Sequence, residues 1–222
     1  MISVQLHRDA LDDRIDVVRR LLDATHPAAL SGTGPVAREA RGLAILLLFA
    51  AYENLLYSLT RTLLDAAKGL RVGNRRLRPG FRMFAISGAV ASLRTVGDKR
   101  LFSSAIPKLL HAAADGRQCT IDVDAFPSDG SYMKSSQVVL WCDVFGLPHP
   151  GSLLSNVWSS LDAIVSDRNG IAHGRLTPQD VGRRYTESEI RALVEAWSMD
   201  WKSFLDAVES AASTRDFFRL PR

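Results

Sequence analysis

The order of apolar and polar positions along the chain predicts helices. Leu11, Ile15, Val18 and Leu22 follow one face of a 3.6-residue period and predict an amphipathic helix over residues 4–24. His26-Pro27 and Ser31-Gly-Thr-Gly-Pro35 break that pattern and predict a loop. Pro35 suits the first turn of a second helix, predicted over residues 36–67. Residues 43–51 within it are apolar nearly all round, as expected of the central helix of a bundle. Gly69, Gly73, Pro79 and Gly80 punctuate the next segment, with shorter helices predicted at 84–95 and 103–114.

Residues 115–132 are polar and turn-rich. Thr120 to Asp124 alternates like a strand, but a single short strand makes no sheet. Helical pattern returns over 135–145, where Gly146 is a natural stop. Ser152 is a candidate cap for the next helix, in which Leu154, Trp158, Leu161 and Val165 share a face and which is expected to end near Val165. Thr186-Glu-Ser-Glu189 has the form of a capping box, and Ile190, Leu193, Val194, Trp197, Trp201, Phe204 and Val208 hold one apolar face after it. The expected architecture is an all-α bundle, one domain over residues 1–222, with a basic, irregular insertion after the second helix (residues 68–132).

Composition sets limits on function. At 222 residues with 46% hydrophobic and 23% charged positions, the chain can bury a sizeable core, which excludes wholesale disorder. Its two cysteines, Cys119 and Cys142, exclude a disulfide framework; one bridge is possible, and free thiols are the expectation. The amino-terminal residues carry His7, Arg8, Asp9, Asp12 and Asp13 in place of an apolar signal region. The greasiest stretch, residues 43–56, contains Glu53 and Asn54 and is shorter than the roughly 20 apolar residues a bilayer requires, so a buried helix, no membrane contact and a cytoplasmic location are expected. His7, His26, His111 and His149 lack metal-ligand spacing, so neither metal nor cofactor is expected. Ser31-Gly-Thr-Gly lacks the lysine of a phosphate loop, and no Gly-x-Ser-x-Gly elbow occurs.

The net charge of +4 is mild, but it is unevenly placed. Lys68, Arg71, Arg75, Arg76, Arg78, Arg82 and Arg94 fall between Ala66 and Gly97 with no acidic residue among them. Such a run is either a solvated face or a track for a polyanion. With Phe81 and Phe84 interleaved, Arg71, Arg75, Arg76, Arg78 and Arg82 are candidate RNA contacts. Arg175, Arg183 and Arg184 are positioned to extend that surface.

The most informative run is Asp167-Arg-Asn-Gly-Ile-Ala-His-Gly-Arg175. Arg168 and His173 stand about 140° apart at 100° per residue, so one copy would not focus both on a substrate, whereas two copies across a two-fold axis could. Arg168 is permanently charged and its planar fork suits phosphate; His173 can move protons near neutral pH; Asn169 can orient the histidine or the phosphate. Gly170, Ala172 and Gly174 leave room for a backbone to approach. A purely structural account is also open, with Arg168 at a helix carboxyl end and His173-Gly174 as a turn. Glu53, inside the apolar helix, either pairs with Arg168 or lies on a solvent stripe. Tyr52 and Tyr57 read as core or interface aromatics.

Arg168-Asn-Gly-Ile-Ala-His173 resembles the Arg-polar-x(3–5)-His motif of HEPN-domain ribonucleases, especially in its RN-x-IAHG form. The wider layout is similar to the RiboL-PSP group of that superfamily: a long apolar helix with an internal acidic residue (Glu53), a basic middle, the motif turn and a long last helix. The sharp match covers about eight residues; the rest is pattern. The resemblance implies a HEPN-like bundle and a metal-independent endoribonuclease leaving 2′,3′-cyclic phosphate ends, with a composite site at a homodimer interface. Arg168, Asn169, His173 and Glu53 would be its site residues. It also implies a toxin or phage-defence role and an antitoxin or regulatory partner. The rival from another class is a non-catalytic module of the same fold that binds a partner protein or a nucleotide.

Overall fold

The computed structural model describes residues 2–26, 34–116, 119–126 and 133–221. These are all-helical, and an isolated bridge between Leu77 and Arg219 is their only strand-like pairing. Helix α1 (Gln5–Thr25) and helix α2 (Pro35–Gly69) fall where the periodicity places them, with Pro35 in the first turn of α2. The loop expected at 27–33 lies outside the described residues.

The expected irregular insertion is largely helical up to residue 114. After a 3₁₀ turn (Asn74–Arg76) come α3 (Pro79–Ala85), α4 (Ser87–Leu93), α5 (Asp98–Arg100), a π-helical turn (Leu101–Ala105) and α6 (Ile106–Ala114). Proline and glycine cut this segment into short helices without abolishing them, because Pro79 and Pro107 both occupy first turns. Thr120 to Asp124 forms no strand; Thr120 donates its hydroxyl to the Ala85 carbonyl at 2.8 Å and Ile121 is buried, so the alternation reflects packing onto α3.

Helix α7 (Ser135–Phe145) ends at Gly146, which takes a left-handed φ of 68°. Next come α8 (Pro150–Leu153), capped by His149 and not Ser152, a 3₁₀ turn (Trp158–Ser160) and α9 (Leu161–Ala172). The predicted single helix through Leu154 and Val165 is therefore three pieces. α10 (Pro178–Gly182) and α11 (Glu187–Ala211) complete the chain's main helices, and Thr186 and Glu189 form the expected capping box on α11.

α2 is the axis of the molecule and packs against α1, α9, α10 and α11. It is long and apolar enough to cross a membrane by length and composition, yet 56% of its most apolar window is buried against these neighbours. Tyr52 of α2 stacks on Trp201 at 5.3 Å and meets Trp197 edge-on, and all three are fully buried. Fully burying each such ring contributes roughly 1.5–3 kcal/mol. The Tyr52 hydroxyl donates to the Met133 carbonyl, and burial pushes its ionisation far up. Tyr52 is thus a core aromatic.

Ion pairs set the register of α1 on α11. Arg8 pairs with Asp206, Asp12 with Lys202, Arg19 with Glu195 and Asp23 with Arg191. Each step up one helix is matched by an equal step down the other, the signature of one antiparallel alignment. Being partly exposed, each contributes at most about 1 kcal/mol, so the ladder selects the alignment more than it stabilises the fold.

Candidate functional site

Helix α9 carries the motif, and it runs seven residues beyond the expected end near Val165. Arg168 and Asn169 therefore lie in its last turns, and His173 is its C-cap. The helix stops because Gly174 adopts a left-handed φ of 69°, letting the Gly174 N–H reach the Ile171 carbonyl (3.0 Å) and the Arg175 N–H reach that of Gly170 (2.8 Å). Chain reversal brings Leu176 back over Gly170, where an added Cβ would lie 2.7 Å from Leu176 Cδ1. Gly170 and Gly174 thus make the turn and its packing. Contrary to the sequence expectation, Gly170 leaves no space for a substrate backbone.

Arg168 is half-buried, with its guanidinium 4.4 Å over the face of Phe49 and its Nη1 donating to Asn169 Oδ1 at 3.0 Å. Stacking on an aromatic face and one hydrogen bond hold the planar group in a single orientation. Glu53, one turn beyond Phe49 on α2, forms no ion pair with it among the described residues. Burial raises the Glu53 carboxyl above its usual range and the positive field of Arg168 opposes that rise, so the two are electrostatic neighbours and not a hydrogen-bonded pair. What orients Arg168 is Phe49 and Asn169.

Asn169 gives its amide oxygen to Arg168, leaving its NH2 as a donor. His173 is exposed, and its ring makes no side-chain hydrogen bond among the described residues. The arrangement presents a fixed cation on one flank of the helix end and a free imidazole at its tip. Beside it lies a polar crevice of about 320 Å³ that Asn169 and Arg175 help to line.

Asp167, next to the motif arginine, has a structural part that sequence reasoning missed. It is buried, and its carboxylate is gripped by Arg184 from the turn between α10 and α11. Tyr185 stands close by, its phenol pushed up by burial and then by the Asp167 charge. No local signal marks this pair, because its members are 17 residues apart. It ties α9 to the last helix, and Arg184 is correspondingly engaged. Arg183, the other arginine expected to extend the surface, pairs with Asp180 at 3.7 Å.

The arginine-rich segment divides. Arg71 and Arg75 are exposed. Arg82, by contrast, clamps the carbonyls of Asn74, Arg75 and Leu77 at 3.1, 2.8 and 2.9 Å. Arg78 donates to the Asp216 carbonyl at 2.6 Å and Arg76 to that of Leu220 at 3.2 Å, so both fasten residues 216–220 to the segment. Three of the five candidate RNA arginines thus hold the fold together. Phe81 is buried among Phe145, Phe217 and Phe218 and is not placed to stack a base. Phe84 stacks on Phe145 and lines an apolar cavity of about 590 Å³.

Other candidates are structural. His26 accepts from Arg41 at 3.0 Å in the core, and His7 sits between Ser58 and Thr62. Cys119 and Cys142 are free, buried thiols, and burial pushes Cys142 up to about 12. Among the described residues no three His, Cys, Asp or Glu side chains converge as metal ligands would. No protein-family model matches the chain, and no significant match occurs among curated proteins or solved structures.

Proposed function

We propose that this chain is a HEPN-type endoribonuclease that cleaves RNA without a metal ion. The carrying observation is the end of α9, where Arg168 is held flat over Phe49 and tied to Asn169 while His173 stands free in solvent. In the proposed reaction a histidine takes the proton of the ribose 2′-hydroxyl and O2′ attacks the adjacent phosphorus. The P–O5′ bond breaks, and a protonated histidine supplies the proton to the departing O5′. The products are a 2′,3′-cyclic phosphate and a 5′-hydroxyl. Arg168 meets the charge that builds on the non-bridging oxygens; a guanidinium already fixed in place needs no reorganisation as that charge forms.

One imidazole cannot be base and acid at once, and Arg168 and His173 leave the helix in different directions. A homodimer that sets two α9 ends face to face supplies both histidines. The toxin or phage-defence setting, and an antitoxin or other regulatory protein, belong to the same proposal and rest on the motif's resemblance. Total RNA and a tRNA pool, incubated in EDTA with the wild type and with His173→Ala, test it. Cleavage by the wild type alone supports the assignment. Activity in the variant, or loss of activity on chelation, overturns it.

The half-burial of Arg168 favours one rival, a binding module in which the arginine serves packing. On that reading Arg168→Ala lowers stability and no RNA is cut by any form of the protein.

A further inference from the structure

The crevice beside the motif is assembled from distant parts of the chain: Lys134 ahead of α7, Asp162, Val165 and Ser166 along α9, and Asn169 and Arg175 at its end. Its charges are not balanced within it. The Asp162 carboxylate also lines it, held at α7 where Oδ1 accepts the Ser135 N–H and Oδ2 the Ser135 hydroxyl, both at 2.7 Å, so one negative charge stands against the two positive charges of Lys134 and Arg175. Lys134 and Arg175 are exposed and form no ion pair among the described residues. Arg175 is nonetheless well placed, because its backbone N–H is fixed to the Gly170 carbonyl at 2.8 Å. Asn169 adds an amide NH2, and Ser166 a hydroxyl.

Two cations, one carboxylate whose oxygens are already engaged by Ser135, and two neutral hydrogen-bonding groups leave the small hollow with a net positive charge and free donors, which describes an anion site. At about 320 Å³ the hollow lies at the lower end of the range for small-molecule sites, a fit for one phosphate and its sugar. Asn169 belongs both to this crevice and to the Arg168 pair, so an anion here lies directly beside the phosphate that Arg168 would meet.

We infer that this crevice is a phosphate subsite for the RNA nucleotide flanking the cut, with Lys134 and Arg175 as its positioning residues. The inference rests on the ribonuclease reading. Lys134 lies well outside the motif and outside the arginine-rich run. Its part is to hold the strand in register, so its loss weakens binding more than it slows the chemical step.

The test uses the full chain, a single-stranded 2′-O-methyl RNA that cannot be cleaved, and a cleavable RNA of the same sequence. Binding is followed from 50 to about 300 mM salt for the wild type, Lys134→Gln, Arg175→Gln and Lys134→Arg. Each glutamine variant is expected to lower the slope of log affinity against log salt by about 0.7, the value of one single-strand phosphate contact, and to weaken binding about fivefold. KM rises by the same factor, far more than kcat falls, and Lys134→Arg restores both. If the wild type binds and cleaves while the glutamine variants keep its slope and KM, the subsite is overturned and the ribonuclease reading stands. If the wild type neither binds nor cleaves either RNA, the reading fails and the subsite with it.

Discussion

Gly174 decides where the motif helix ends, and replacing it by alanine measures that role. The residue sits at φ 69° with nothing within 4 Å of an added Cβ, so the substitution meets no steric clash and acts through the backbone alone. An L-residue in the left-handed region costs about 1–2 kcal/mol, while alanine's less flexible unfolded chain returns about 0.4–1 kcal/mol. The net loss is about 1 kcal/mol, and it reaches about 2 kcal/mol if the two turn hydrogen bonds to Ile171 and Gly170 open as well. For a chain of this size that lowers Tm by roughly 2–8 °C in a thermal melt followed by circular dichroism. Gly174→Asn, whose side chain tolerates this conformation, loses only a few tenths of a kcal/mol by the same account. Gly88→Ala is the internal control: also unobstructed, but inside α4 without positive φ, it gains about 0.5 kcal/mol. A Gly174→Ala protein at least as stable as the wild type, or the same sign for Gly174→Ala and Gly88→Ala, refutes the reasoning.

Asp200 is buried and accepts from the Asn156 N–H (2.8 Å), the Asn156 side-chain amide (2.7 Å) and the Val157 N–H (3.1 Å), holding the turn that leads into α9. Asp200→Ala strands those donors and is expected to cost about 2–4 kcal/mol in urea unfolding; a loss under about 0.5 kcal/mol contradicts the assignment. His7, lodged between Ser58 and Thr62, has its pKa lowered from 6.5 by burial. The unfolded chain takes up that proton first, so its contribution is complete above pH 6.5 and fades as pH falls below it. His7→Gln should flatten the pH dependence of the urea midpoint between pH 7 and 5, and an unchanged slope rules the account out. Glu53 is the opposite case: its pKa is raised, so its contribution is present below the unfolded value near 4.5 and is lost as pH rises. Glu53→Gln is therefore expected to stabilise the protein at pH 7, and a lower Tm there would count against it.

Local periodicity and capping chemistry determine the parts of the fold that are legible in the sequence. The stripe Leu11–Ile15–Val18–Leu22, the proline opening α2, the span of α7 with Gly146 and the Thr186 capping box all appear in the structure where the sequence puts them. The illegible parts depend on partners remote in sequence. The pattern ends α9 too early because Ser166 to Asn169 is polar, yet Asp167 is buried by its pairing with Arg184 and the helix continues through it. Arg76, Arg78 and Arg82 look like a free basic run until the chain returns at residues 216–220 and supplies carbonyls to two of them. Lys134 gives no signal, since only the fold carries it to Arg175.

The motif also divides into a part that belongs to the core and a part that does not. Arg168 sits on Phe49, a fully buried ring of the central helix, and Asp167 is buried beside it. Any change to either is felt as packing before it is felt as chemistry, which is why loss of activity in an Arg168 variant cannot by itself assign a catalytic role. His173 is exposed and follows the last helical residue. Its removal costs the core no packing, so on the ribonuclease proposal a loss of activity in His173→Ala, with helicity and dimerisation unchanged, reports on chemistry and not on folding. The same reasoning makes Lys134→Gln and Arg175→Gln clean probes of the proposed strand binding, as both are exposed. Exposure, more than rank within the motif, determines which substitutions can separate a ribonuclease from a binding module.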